Sequence, residues 1–106
     1  MAMQQKFTDA ELERIIDQGL IYMCACPAQV AQSIQQLRSL LNYQQNCLTD
    51  PGNDGEVHRA IVRAALAAQN IMEACMERIL ELERWDRETL TMPSGLRQRQ
   101  AREISD

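Results

Sequence analysis

Aromatic residues are nearly missing from this sequence: one Phe, one Trp and two Tyr in 106 residues. Gly and Pro are almost as scarce, at four and three. A β-rich domain draws on Val, Thr, Tyr and turn residues, so this shortage points away from sheet. No apolar run approaches the roughly 20 residues that span a bilayer, so no membrane association is expected. Basic residues are few relative to acidic ones, Lys6 is the only lysine, and the net charge is −4. Nucleic-acid binding, which needs Lys and Arg to neutralise phosphates, is therefore not expected. There is a single histidine, His58. A two-metal carboxylate site on facing helices needs a Glu-x-x-His on each of two of them, so one chain cannot build it. There is no glycine-rich phosphate loop. Met1 to Lys6 is polar and lacks the apolar segment of a secretory signal. A cytoplasmic location is expected, where thiols are normally reduced.

What the chain does contain is helix formers: Ala, Leu, Gln, Glu, Arg and Met. The length suits one domain, 1–106. Thr8 and Glu11 are spaced as a capping box, and Phe7 and Leu12 as a hydrophobic staple over it. Helix one is predicted over 8–25, with an apolar stripe of Leu12, Ile15, Ile16, Gly19, Leu20 and Met23. Pro27 disfavours helical geometry at Cys26 and suits the first turn of a new helix. Helix two is predicted over 27–48, with Val30, Ile34, Leu37, Leu41 and Leu48 facing inward, Leu40 and Cys47 widening that stripe, and the glutamines, Gln44 among them, on the other faces. The turn-rich segment Thr49–Gly55 breaks the pattern. Asn53 and Glu56 are spaced as a second capping box, and helix three is predicted over 54–85. Its heptad seam reads His58, Ile61, Ala65, Ala68, Met72, Cys75, Ile79 and Leu82. Val57, Ala64, Ile71 and Trp85 flank this seam on one side, and Val62 and Met76 on the other. In the tail, 86–106, Leu90, Met92 and Leu96 are placed to pin the chain back, and Ser94 to cap a short helix running to about Glu103. Beyond them lie Arg97, Arg99 and Arg102. The expected fold is all-α: an antiparallel bundle of three main helices, a long hairpin of helices two and three, and a short C-terminal helical tail.

In such a hairpin, facing residues have numbers summing to about 103. Cys75 is then level with the start of helix two, beside Cys24 and Cys26, while Cys47 lies at the far end near His58. Three converging thiolates can hold a soft metal such as zinc or copper(I), although no fourth ligand is evident. Cys26 also sits at a helix N-terminus, which favours a reactive thiolate. Equally, cysteine is a small hydrophobe that packs well in cores, and Cys75 falls on the seam. His58 near Cys47 lacks an orienting acid and reads as a rim residue. Glu73, Glu77 and Glu81 recur at four-residue spacing and read as a solvated acidic face.

The segments Tyr22-Met23-Cys24-Ala25-Cys26-Pro27-Ala28-Gln29-Val30 and Trp85-Asp86-Arg87-Glu88-Thr89-Leu90-Thr91-Met92-Pro93 resemble a group of short hypothetical proteins of proteobacteria. The resemblance implies a bacterial source and carries no activity. The stretch Cys24–Leu48 is also similar to bacterial copper- and formaldehyde-sensing repressors in its Gln, Leu-Leu and Cys content. Its cysteine spacing differs, it holds no histidine, and the basic DNA-contacting surface is missing, so that function is not carried over.

The broad apolar face of helix three exceeds what one neighbouring helix covers. The expected function is therefore a non-enzymatic interaction or structural protein acting as a homodimer. Such a dimer would bury part of the Val57, Ala64, Ile71 stripe or the Leu40 side of helix two. The alternative is a metal-binding or redox-sensing protein using Cys24, Cys26 and Cys75.

Overall fold

The computed structural model describes residues 3, 5–22, 25–52 and 55–93. Three helices follow in order: α1 (Asp9–Tyr22), α2 (Ala25–Cys47) and α3 (Gly55–Leu82). Each lies within one turn of its predicted span. Among the described residues no strand forms, and the only sheet-like pairing is an isolated bridge between Asp86 and Thr91. The fold is an all-α bundle.

Local chemistry starts and stops these helices. The Thr8 N–H donates to Glu11 Oε1 at 2.8 Å and the Glu11 N–H to Thr8 Oγ1 at 3.1 Å. This reciprocal cap satisfies donors that the first turn leaves open. Phe7 and Leu12 close over it, both fully buried. Pro27 sits in the first turn of α2, where its missing N–H has no helical acceptor to lose. After α2, Gly52 N–H donates to Asp50 Oδ1 at 2.9 Å, an Asx turn. Asn53 of the second predicted cap lies outside the described residues.

The end of α3 is a Schellman motif. The Trp85 N–H reaches back to Leu80 O at 2.9 Å and the Arg84 N–H to Glu81 O at 3.1 Å. Arg84 holds the left-handed position at φ 60, where glycine is usual. The chain then folds back: Trp85, Leu90 and Met92 are buried in the core, and Met92 N–H donates to the buried Gln18 side chain at 3.2 Å. The expected pinning by Leu90 and Met92 is thus present. Over 86–93 the backbone makes turns and the bridge, not helix. Leu96 and the short helix after Ser94 lie outside the described residues.

α2 packs along α3 as an antiparallel hairpin, and α1 packs along α2. Gln44 meets His58 near the turn, and Arg38 meets Gln69 further along. The start of α1 sits beside the middle of the hairpin, because Asp9 pairs with Arg38 and Glu13 accepts from Gln35. The core lies between the three helices and the returning tail: Phe7, Leu12 and Ile15 against Ile34, Met76, Leu80, Trp85, Leu90 and Met92.

Three sequence expectations need correction. The buried line of α3 is Ala65, Gln69, Glu73, Met76 and Leu80, so the seam is rotated from the predicted one. Cys75 and Leu82 are exposed and not in the core. In α1, Leu20 is 70 % exposed and the buried Gln18 takes its place on the inner face. In α2, Gln44 is buried, not outward. The physical reason is shared. An apolar-only reading assigns polar side chains to solvent, whereas these polar groups are buried with hydrogen-bond partners.

Candidate interaction face

The inward line of α3 carries a buried polar cluster. Glu73 is 0 % exposed and forms an ion pair with Arg38, itself buried. Arg38 also donates to Gln69 Oε1 at 3.2 Å, to Asp9 Oδ1 at 2.6 Å and to the Phe7 carbonyl at 2.7 Å. The other Glu73 oxygen accepts from the Lys6 and Phe7 N–H groups at 2.9 and 3.2 Å. Burial pushes the Glu73 carboxyl above the usual range, and Arg38 and the two backbone donors partly offset this. The expectation of a solvated Glu73 is therefore corrected. Glu77 and Glu81 remain at the surface, paired with Arg87 at 3.0 Å and Arg78 at 3.4 Å.

This cluster anchors the segment before α1 to the hairpin. Arg87 completes the tie from the other side. Its guanidinium sits 4.1 Å from the centre of the Phe7 ring and donates to Lys6 O at 3.0 Å and Glu11 Oε2 at 3.4 Å. Glu11 is held below the usual carboxylate range, chiefly by the Thr8 backbone donor; burial opposes this and Arg87 adds to the pull.

The sequence held a signal for the cluster. Arg38 lies four residues after Ile34 and three before Leu41, both buried. It therefore occupies the stripe position that an apolar reading gives to Leu37, which is only half-buried.

The second apolar face of α3 is not used by this core. Val57, Ile61, Ala64, Ala68, Ile71, Cys75 and Leu82 follow one another at spacings of three, four and seven, a heptad line. Val57 is 51 % exposed, Ile71 67 % and Leu82 63 %. At about 100° per residue, this line is roughly 120° around the helix from the buried one. Glu73, which meets the segment before α1, lies about 160° from Cys75, so the exposed line faces away from α1. On α2, Leu40 lies about 140° from Gln35, the residue that bonds α1, and it too is exposed. The hairpin thus presents an apolar back, thin at Ala64 and Ala68, on the side that α1 leaves open.

Cys26 and Cys75 are exposed free thiols, and Cys47 is half-buried at the opposite end of α2. Cys24 lies outside the described residues. Among the described residues no group of three or more His, Cys, Asp or Glu side chains is placed to hold a metal ion. His58 Nδ1 contacts the buried Gln44 side chain, a packing role. A half-open hollow of ≈ 500 Å³ lies where α1 begins, lined by Met3, Asp9, Arg38, Leu41 and Leu66 among others. Its one buried charge, Arg38, is already engaged by Asp9 and Glu73. No helix among the described residues is long and apolar enough to cross a membrane. The chain matches no protein-family model, no curated protein and no solved structure.

Proposed function

We propose that this is a non-enzymatic structural or interaction protein of the cytoplasm that works as a homodimer through the back of its α2–α3 hairpin. The observation that carries the reading is the exposed heptad line of α3, with Val57, Ile71 and Leu82 half or more in solvent. Fully burying one such side chain is worth about 1.5–3 kcal/mol. A second copy offering the same line supplies that burial with matched spacing. The charged groups nearest the core are engaged in pairs that hold the fold: Glu73 with Arg38, Glu11 and Glu77 with Arg87.

Sedimentation velocity and light scattering on the purified protein test this. A dimer mass at micromolar concentration is expected. Ile71→Glu is expected to shift it to monomer with unchanged helical circular dichroism, because Ile71 touches solvent and not the core. A monomer mass for the wild type at that concentration overturns the reading.

One observation favours a second reading. Cys26 and Cys75 are both free and solvent-exposed, which suits a thiol-based metal-binding or redox sensor better than packed thiols do. Titration with zinc or copper(I), followed by counting the thiols shielded from a maleimide, decides it. Protection of Cys24, Cys26 and Cys75 together would support the sensor, and full labelling of all three in the presence of metal would remove its metal form.

A further inference from the structure

We propose that the hollow at the start of α1 binds a small uncharged molecule carrying an amide group on an apolar body. The site lies on the α1 side of the hairpin, so it is independent of the dimer reading, which concerns the side facing away from α1.

The hollow is a product of helix lengths. α1 begins at Asp9, which pairs with Arg38 in the middle of α2, while the hairpin runs on to Cys47 and Gly55. Past Arg38, no third helix among the described residues lies over the hairpin on this side. Leu41 of α2 and Leu66 of α3 therefore line a half-open hollow in place of a closed core. Its volume is ≈ 500 Å³, inside the range of about 300–1,000 Å³ that small-molecule sites occupy.

The polar wall sets the ligand chemistry. Arg38 and Asp9 both line the hollow, with side chains 9 % and 79 % exposed. A guanidinium has five N–H donors. The Arg38 Nε donates to Gln69, Nη2 to the Phe7 carbonyl and Glu73, and Nη1 to Asp9 Oδ1. The second Nη1 hydrogen has no acceptor among the described residues, and a buried donor gains by finding one. Asp9 accepts through Oδ1, which leaves Oδ2 open beside that hydrogen. A free donor and a free acceptor thus stand side by side on two different protein atoms.

An amide matches this pair. Its carbonyl oxygen accepts from Nη1 while its N–H donates to Asp9 Oδ2. A carboxylate cannot donate to Oδ2, and an ammonium cannot accept from Nη1. Charge excludes the carboxylate a second time: Arg38 is already countered by Glu73 and Asp9, so the wall is net negative. Asn42 and Gln45, one and two turns along α2 from Arg38, add amides to the rim, and among the described residues no further charged side chain lines the hollow. The apolar body of the ligand then rests on Leu41 and Leu66. Convergent polar groups over an apolar floor are the usual make-up of a small-molecule site.

The test is a nuclear magnetic resonance titration of the full chain, labelled in its methyl groups and arginine side chains. The probes are benzamide, benzyl alcohol, benzoate and benzylammonium, which share one ring and differ in the polar group. Benzamide is expected to give saturable shifts at the Leu41 and Leu66 methyls and the Arg38 N–H signals, and the other three to bind about tenfold more weakly. Asp9→Asn keeps an oxygen for Arg38 and removes the negative charge, so benzoate should rise to the level of benzamide. Leu66→Trp fills the hollow and should abolish the benzamide shifts with helical circular dichroism unchanged. Should it fail to fold, Asp9→Asn, at an exposed residue, decides alone. No saturable shift with benzamide in the wild type would overturn the site. Equal binding of all four probes, or of benzamide and benzyl alcohol, would overturn the amide class. An unchanged preference for benzamide over benzoate in Asp9→Asn would overturn the charged wall as its cause and the proposal with it.

Discussion

Replacing Glu73 with methionine is expected to be among the most damaging changes to this fold that a side chain of similar length can make. Glu73 is fully buried and shares Arg38 with Gln69, Asp9 and the Phe7 carbonyl. Glu73→Met leaves Arg38 buried without its main anion, and breaking a buried pair from one side costs about 3–5 kcal/mol. It also orphans the Phe7 N–H, whereas Lys6 is exposed enough for water to replace the carboxylate. Arg38→Met should cost a similar amount, because it leaves the Glu73 carboxylate in the core. The double variant Arg38→Met/Glu73→Met removes both charges and fills the space with apolar volume. Lys6 and Asp9 are exposed enough for water to take over, and the buried groups that lose partners are the Phe7 backbone and Gln69, so it should cost about 1–3 kcal/mol, less than either single change. Native stability is about 5–15 kcal/mol, so the single variants lose a large share of it. With a urea slope of about 1–1.5 kcal/mol per M for a chain this size, their midpoints fall by ~2–5 M. Urea unfolding followed by circular dichroism and by Trp85 fluorescence measures all four proteins. The argument is refuted if Glu73→Met costs less than about 1 kcal/mol, or if the double variant equals the sum of the singles within ~0.5 kcal/mol. Should the single variants fail to fold, the double variant must still show a cooperative transition.

Arg84→Gly is expected to stabilise the protein by about 0.5–1 kcal/mol in the same assay, since a non-glycine residue at φ 60 bears a steric cost that exceeds the added unfolded-state entropy of glycine; a loss of stability would sink this. Thr8→Ala should cost about 1 kcal/mol by removing the hydroxyl that caps the Glu11 N–H, and an effect within ~0.2 kcal/mol would count against the capping box. Glu11 has a folded pKa below its unfolded value, so its contribution is present above the ordinary carboxylate range and is lost as pH falls through the lowered value. Wild type should therefore lose more stability than Glu11→Gln between pH 6 and acid conditions below about pH 4. Glu73, shifted upward, works in the opposite sense, favouring the fold below the ordinary range and losing that contribution as pH rises through its raised value. It is common to both proteins, so the difference between their pH profiles isolates Glu11, and identical profiles would reject the assignment.

The order and approximate ends of the three main helices were determined by the sequence alone, because their causes are local. The Thr8–Glu11 cap, Pro27 and the Thr49–Gly55 turn each act over a few residues, whatever the rest of the chain does. The placement of Cys47 far from Cys26 follows in the same way from one continuous α2. The rotation of α3 is different. Its heptad lines are apolar on two sides, and periodicity cannot choose which one becomes the core. That choice was made in the tertiary structure, where Glu73 collects the Lys6 and Phe7 N–H groups and Arg38, partners 67, 66 and 35 residues away. Taken singly, Arg38, Gln69 and Glu73 each read as surface residues, since an isolated charge or amide is better hydrated than buried. Only when all three and the Phe7 backbone meet does burial leave no group without a partner. Once that face turns inward, Val57, Ile71, Cys75 and Leu82 are carried to the outside, and the apolar back of the hairpin is a consequence of a polar contact in its core.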